Sequence, residues 1–221
     1  MVRPTREPSA ALVDGPWTHR DVSAGGIRLH AVEIGTGPLV VLLHGFPEFW
    51  WCWRHQLPAL AAAGYRAVAL DLRGYGASDK PPRGYDPWTL AGDVAGAVRA
   101  LGEPDATVVG HDWGGWLGWC VAVLHRPVVR RLAVLSVPHP LRMYAALLTD
   151  PRGQLRASGY TARFQLPWHP ERWLVERDAD NTAALLRAWG AGGFPDAAAE
   201  RCYRDAMQIR HVAHSALEYY R

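Results

Sequence analysis

Cysteine is scarce in this sequence, and what there is lies scattered. Cys52, Cys120 and Cys202 are the three among 221 residues, too few and too far apart for a disulfide framework or a cysteine zinc site. They read as small apolar residues in a reducing compartment, so a cytoplasmic location is expected. Lysine is nearly absent too: Lys80 stands alone, and arginine supplies the other positive side chains. The net charge of +3 is spread along the chain, and no Lys/Arg cluster suggests a nucleic-acid partner. No apolar run reaches the roughly 18 residues of a membrane-spanning helix. Residues 1–16 are polar and proline-containing, without an apolar signal core, and read as a flexible leader. No metal-ligand spacing and no flavin motif occurs, and the Gly74-Tyr75-Gly76 loop lacks the third glycine of a dinucleotide fingerprint. No cofactor and no metal are therefore expected.

Hydrophobic residues make up 49% and charged residues 20%, which supports a buried core and excludes a disordered chain. Thr18–Ser23 and Ile27–Glu33 flank Ala24-Gly25-Gly26, a hairpin signal. Leu39–Leu43 is apolar throughout, as a strand buried on both faces requires. Arg66–Leu72, Ala106–Gly110 and Val129–Val137 repeat that character. Helical patterns at Trp51–Ala63, Pro87–Leu101 and Trp113–His125 separate these runs. The alternation predicts an α/β fold, a mostly parallel sheet with helices on both faces. After Pro138 no apolar strand follows, and the chain reads as about five helices interrupted by prolines and glycine. The expected units are a leader at 1–16, an α/β core at 17–138 and a helical block at 139–221.

The sharpest chemical signal is Gly110-His111-Asp112-Trp113-Gly114-Gly115, set between a buried strand and a helix. A nucleophile elbow needs small residues two before and two after its tip, because the turn brings backbone close on both sides. Here Gly-x-Asp-x-Gly puts a carboxylate at the tip, where the helix N-terminus favours its charge. A carboxylate nucleophile attacks saturated carbon to give an ester, which fits epoxide opening or halide displacement. The alternative, that Asp112 merely caps the helix, leaves the flanking glycines unexplained. His44-Gly45-Phe46-Pro47 follows the first buried strand, and in this architecture the amides of Phe46 and Trp113 would line an oxyanion hole. His44 has its own plain alternative, a hydrogen-bonded core histidine.

With His44-Gly45-Phe46-Pro47-Glu48, Asp71-Leu72-Arg73-Gly74-Tyr75-Gly76-Ala77-Ser78-Asp79, the Asp112 elbow and Leu135-Ser136-Val137-Pro138-His139-Pro140, the chain resembles an α/β-hydrolase of the epoxide hydrolase group. The resemblance runs from about Trp17 to the last residue. It implies that 139–221 is the cap domain inserted after the sixth strand. It also implies two cap tyrosines that hydrogen-bond the epoxide oxygen. Tyr160, four residues before Phe164-Gln165, and Tyr220, in the Tyr220-Arg221 pair, match that pattern, with Tyr219 as the competing choice for the second. A phenol suits the task, because it stays neutral near pH 7 and can donate to a developing oxyanion. Packing alone is the alternative for either tyrosine taken singly. The implied substrate is a small apolar epoxide, with water as co-substrate. The pocket would be lined by His44, Pro47, His111 and Phe164 beside Phe46 and Trp113.

An alkyl-enzyme ester turns over only if a His, oriented by an acid, activates water, and these should follow the nucleophile in the order acid then His. The acids from Asp150 onward and the histidines His169, His211 and His214 all fall in the helical block. His125 ends the elbow helix, and His139 precedes every one of those acids. In the family that pair comes from the two strands after the cap. The chain therefore resembles the N-terminal part of the core plus the cap, and hydrolysis of the ester is expected to be impaired. A truncated product, one half of a split enzyme and a degenerate homologue all fit, so a complementary C-terminal fragment or a homo-oligomer is a candidate partner. Haloalkane and fluoroacetate-type dehalogenases are the alternative enzymes. A non-catalytic or partner-dependent subunit is the alternative of another class.

Overall fold

The computed structural model describes residues 6–150 and 152–221. The hairpin forms as β1 (Thr18–Ala24) and β2 (Ile27–Ile34), paired antiparallel with Ala24 opposite Ile27. The apolar runs form β3 (Leu39–Leu43), β4 (Arg66–Leu70), β5 (Ala106–His111) and β6 (Val129–Leu135). The sheet order is β1-β2-β4-β3-β5-β6, with β4, β3, β5 and β6 parallel. Every residue of β3 is buried, since it lies between strands on both sides and under helices. Among the described residues β6 is one of the two edge strands of the sheet, with β1 at the opposite edge, and its exposed positions include Leu135.

Between strands run α1 (Gln56–Ala62), α2 (Pro87–Ala100) and α3 (Trp113–Leu124). α2 starts where Asp86 accepts a hydrogen bond from the Thr89 amide at 3.0 Å and is followed by Gly102 at φ 89°. The helix expected over Trp51–Ala63 is instead a 3₁₀ turn, Trp50–Trp53, followed by α1. Trp50 and Trp53 are three apart and both buried, which one 3₁₀ turn satisfies.

The block after Pro138 is helical: α4 (Pro140–Thr149), α5 (Gln154–Ala157), α6 (Tyr160–Phe164), α7 (His169–Trp189), α8 (Ala197–Met207) and α9 (Val212–Glu218). α7 is kinked, with Arg177, Asp178 and Ala179 at positive φ. No described helix is long and apolar enough to cross a membrane.

The leader differs from expectation over residues 6–16; residues 1–5 lie outside those described. Pro8–Ala11 forms a 3₁₀ turn, and the buried Ala11 accepts from Trp50 Nε1 at 2.7 Å through its carbonyl. The Arg6 amide donates to the Gln208 carbonyl at 3.0 Å, and its guanidinium pairs with Asp205 at 2.9 Å. The segment is a strap packed between α8 and the core, not a loose tail.

Candidate active site

Strands β3 and β5 are neighbours, so the loops leaving their carboxyl ends meet. The loop after β3 begins at His44, and β5 ends one residue before Asp112. Asp112 takes φ 51° and ψ −121°, the strained conformation of an elbow tip. The glycines on either side are needed for space. A Cβ on Gly110 would come within 2.1 Å of the Gly114 carbonyl oxygen, and one on Gly114 within 2.2 Å of the Leu43 carbonyl oxygen.

The Asp112 carboxylate accepts a hydrogen bond from the Phe46 amide at 2.8 Å through Oδ1. Burial pushes its carboxyl above the ordinary value, while the amides of Phe46 and Trp113 pull the other way. Gly45 is the reason the two loops can approach: a Cβ there would lie 2.5 Å from Oδ1.

Two cavities open on Asp112. The larger, about 690 Å³, is lined by Trp113 and Trp116 from α3, by Met143 and Leu147 from α4, and by Tyr160, Tyr219 and Tyr220 among others. The smaller, about 470 Å³, is lined by Phe46, Glu48, His111, Tyr160, Leu186 and Trp189 among others. Asp112 and Tyr160 border both.

Tyr220 stands with its ring 5.0 Å from Trp113 and 6.0 Å from Tyr160, centroid to centroid. Burial raises the pKa of both phenols, more for Tyr220, and the nearby Asp112 charge acts in the same direction, so both hold their protons at neutral pH. Tyr219 is otherwise engaged: its hydroxyl donates to the Arg73 carbonyl at 2.9 Å.

Three expected pocket residues lie elsewhere. His44 is fully buried, with Nδ1 2.9 Å from the Gly45 carbonyl and Nε2 accepting from the Leu72 amide at 3.1 Å, so it fastens two loops instead of lining a cavity. Pro47 is buried and borders neither cavity that reaches Asp112. Phe164 also borders neither; it packs behind the tyrosines, 5.4 Å from Tyr160 and 5.1 Å from Tyr220 by ring centroid. His111 does line the smaller cavity.

Sequence reasoning missed Glu48, whose Oε2 lies 3.0 Å from His111 Nδ1. Its place in the His-Gly-Phe-Pro-Glu motif was the available signal. That hydrogen bond raises the His111 pKa and favours the imidazolium. The lining from α4 was also missed, although Met143 and Leu147 share a helix face at i, i+4. Among the described residues no group of three or more His, Cys, Asp or Glu side chains is arranged to hold a metal.

A strand-turn-helix elbow at the carboxyl edge of such a sheet defines the α/β-hydrolase fold, and residues 38–191 match that family. The chain belongs to the α/β-hydrolase fold family, within its epoxide hydrolase group. It is 46% identical over 160 residues to epoxide hydrolase 3 of Xenopus tropicalis, a match covering 71% of this chain and 43% of that protein. With epoxide hydrolase B of Mycobacterium tuberculosis it shares 44% identity over 167 residues, covering 72% and 47%. Among solved structures, a Bacillus megaterium epoxide hydrolase superposes with a TM-score of 0.85 at 32% identity, covering 91% of this chain and 71% of that one. An epoxide hydrolase from an endophytic Streptomyces gives 0.80 at 34% identity, covering 94% and 72%. The chain spans about half the length of the curated relatives it matches.

Proposed function

We propose that this chain opens a small apolar epoxide by covalent catalysis. An oxygen of the Asp112 carboxylate attacks a ring carbon as the carbon–oxygen bond of the epoxide breaks. Tyr160 and Tyr220 hydrogen-bond the departing oxygen, and one of them supplies the proton that turns the alkoxide into a hydroxyl. The product is a β-hydroxyalkyl ester of Asp112. The observation that carries this reading is the convergence of two protonated phenols and one buried, backbone-held carboxylate on the same cavity. The Phe46 and Trp113 amides serve as the oxyanion hole, since they already face the carboxylate. Residues 139–221 act as the cap that carries the tyrosines.

Hydrolysis of the ester is the weaker half. None of the acids after Asp112 borders either cavity, and His111 is the one histidine among their lining residues. Its bond to Glu48 favours the protonated ring, which has no lone pair with which to take a proton from water.

Incubation with styrene oxide followed by intact-mass measurement tests the reading. The expected result is one added epoxide mass on the wild type and none on Asp112→Asn. Steady multiple turnover to diol by the chain alone would overturn the impaired second half. Chloride release from a haloalkane without epoxide opening would overturn the first. Restored turnover on adding a polypeptide that supplies an acid and a histidine is the outcome expected for a split enzyme.

A further inference from the structure

Tyr160 opens the short helix α6, and Tyr220 lies in the turn that follows the short helix α9. α6 has five residues and α9 seven, lengths that do not hold their shape unaided. What joins them is a pair of crossed hydrogen-bonding arms. Arg221, the residue after Tyr220, reaches back to the end of the Tyr160 helix. Its Nε donates to the Phe164 carbonyl and its Nη2 to the Leu166 carbonyl, both at 2.9 Å. Phe164 is the last residue of α6, whose terminal carbonyls have no partner within the helix, and Leu166 lies two residues beyond it. Gln165 reaches the other way, and its Nε2 donates to the Tyr220 carbonyl at 2.8 Å. Arg221 is itself anchored, with Nη1 2.7 Å from Glu171 and 3.1 Å from Glu218.

We infer that Arg221 and Gln165 are positioning residues, a crossed clamp that sets the spacing of the Tyr160 and Tyr220 hydroxyls over Asp112. The planar guanidinium suits this task, because its fork can grip two carbonyls in fixed directions while a third edge meets carboxylates. The inference rests on the reading of the two tyrosines as donors to the epoxide oxygen. Arg221 borders neither cavity that reaches Asp112, whereas Gln165 also borders the larger one.

Arg221→Lys keeps the positive charge beside Glu171 and Glu218 but loses the fork. Gln165→Leu keeps the bulk and removes the donor. In single-turnover ester formation with styrene oxide, each variant should lose about tenfold to a hundredfold in limiting rate. The fraction of chain that reacts should stay unchanged in both, and for Arg221→Lys, whose side chain borders neither cavity, so should the half-saturating epoxide concentration. A purely structural role would instead lower the reacting fraction and leave the rate of the folded molecules alone, and that pattern overturns the clamp.

A second measurement needs no activity. With 3-fluorotyrosine incorporated and resonances assigned through Tyr160→Phe and Tyr220→Phe, Arg221→Lys should shift the Tyr160 fluorine signal as well as that of Tyr220. A shift confined to Tyr220 overturns the clamp, whereas absence of any ester on the wild type overturns the proposed chemistry and leaves the fluorine result standing.

Discussion

At Asp112 the fold holds a carboxylate where water cannot solvate it well, in a backbone conformation that most residues avoid. The sign of the pH effect follows from that burial. Because the carboxyl titrates above its ordinary 3.8, the folded state holds the proton more tightly than the unfolded state. Between the ordinary and the raised value, this group's contribution to stability falls as pH rises, and at neutral pH its charge is a standing cost. Asn at the same position tolerates positive φ, can keep an oxygen facing the Phe46 amide, and carries no charge. Asp112→Asn should therefore raise Tm by about 2–4 °C, the shift that about 1 kcal/mol gives a chain of this size, while ester formation vanishes. Calorimetry checks the first outcome and intact mass the second. In the wild type the rate of ester formation should fall in acid with a midpoint above the ordinary aspartate value. A midpoint at or below that value would contradict the account of the site's electrostatics. The residue identities of this corner were legible because an elbow constrains sequence: Gly110 and Gly114 are dictated by backbone clearance, and they mark Asp112 between them as the tip. Side-chain direction was not legible. His44 and Phe164 belong to the right motifs, yet one is turned into loop carbonyl and amide groups and the other stands behind the tyrosines.

Among the elements, those that bury on both faces were the easiest to read. Leu39–Leu43 has no polar residue to set a face, so its run is at once its boundary and its burial pattern. The leader was misread for a physical reason. Apart from the Arg6–Asp205 ion pair its anchors are main-chain groups, the Arg6 amide and the Ala11 and Val13 carbonyls, and main-chain groups leave no mark on composition. The link between the loop after β3 and the end of β5 was hidden for another reason: it joins two side chains, Glu48 and His111, that are far apart in sequence. That link is testable. The His111 pKa is raised by Glu48, so its stabilisation is complete below the ordinary histidine value of 6.5 and is lost as pH rises through the raised value. Glu48→Gln should lower the His111 titration midpoint in a proton–nitrogen NMR titration. It should also shrink the loss of stability on going from pH 6 to pH 8. An unmoved midpoint would mean that the pair does not control the imidazole.

For the molecule as a whole, the order of the sheet leaves β6 at one edge of the described strands, with Leu135 exposed on it and Val123 and Leu124 exposed at the end of α3. An open strand edge beside apolar side chains is a template for pairing. The chain should therefore self-associate as its concentration rises in sedimentation experiments, and Leu135→Lys should shift it toward monomer; a monomeric wild type at high concentration would contradict this. The strap at the other end of the sequence has a different consequence, one of timing. Its Arg6 end has its partners, Gln208 and Asp205, some 200 residues later in the chain. On a ribosome adding about 5–20 residues per second, Arg6 waits about 10–40 s after its own synthesis for those partners to be made. Order of synthesis and order of closure thus run in opposite directions here: Arg6 is made about 200 residues ahead of the contacts that fasten it.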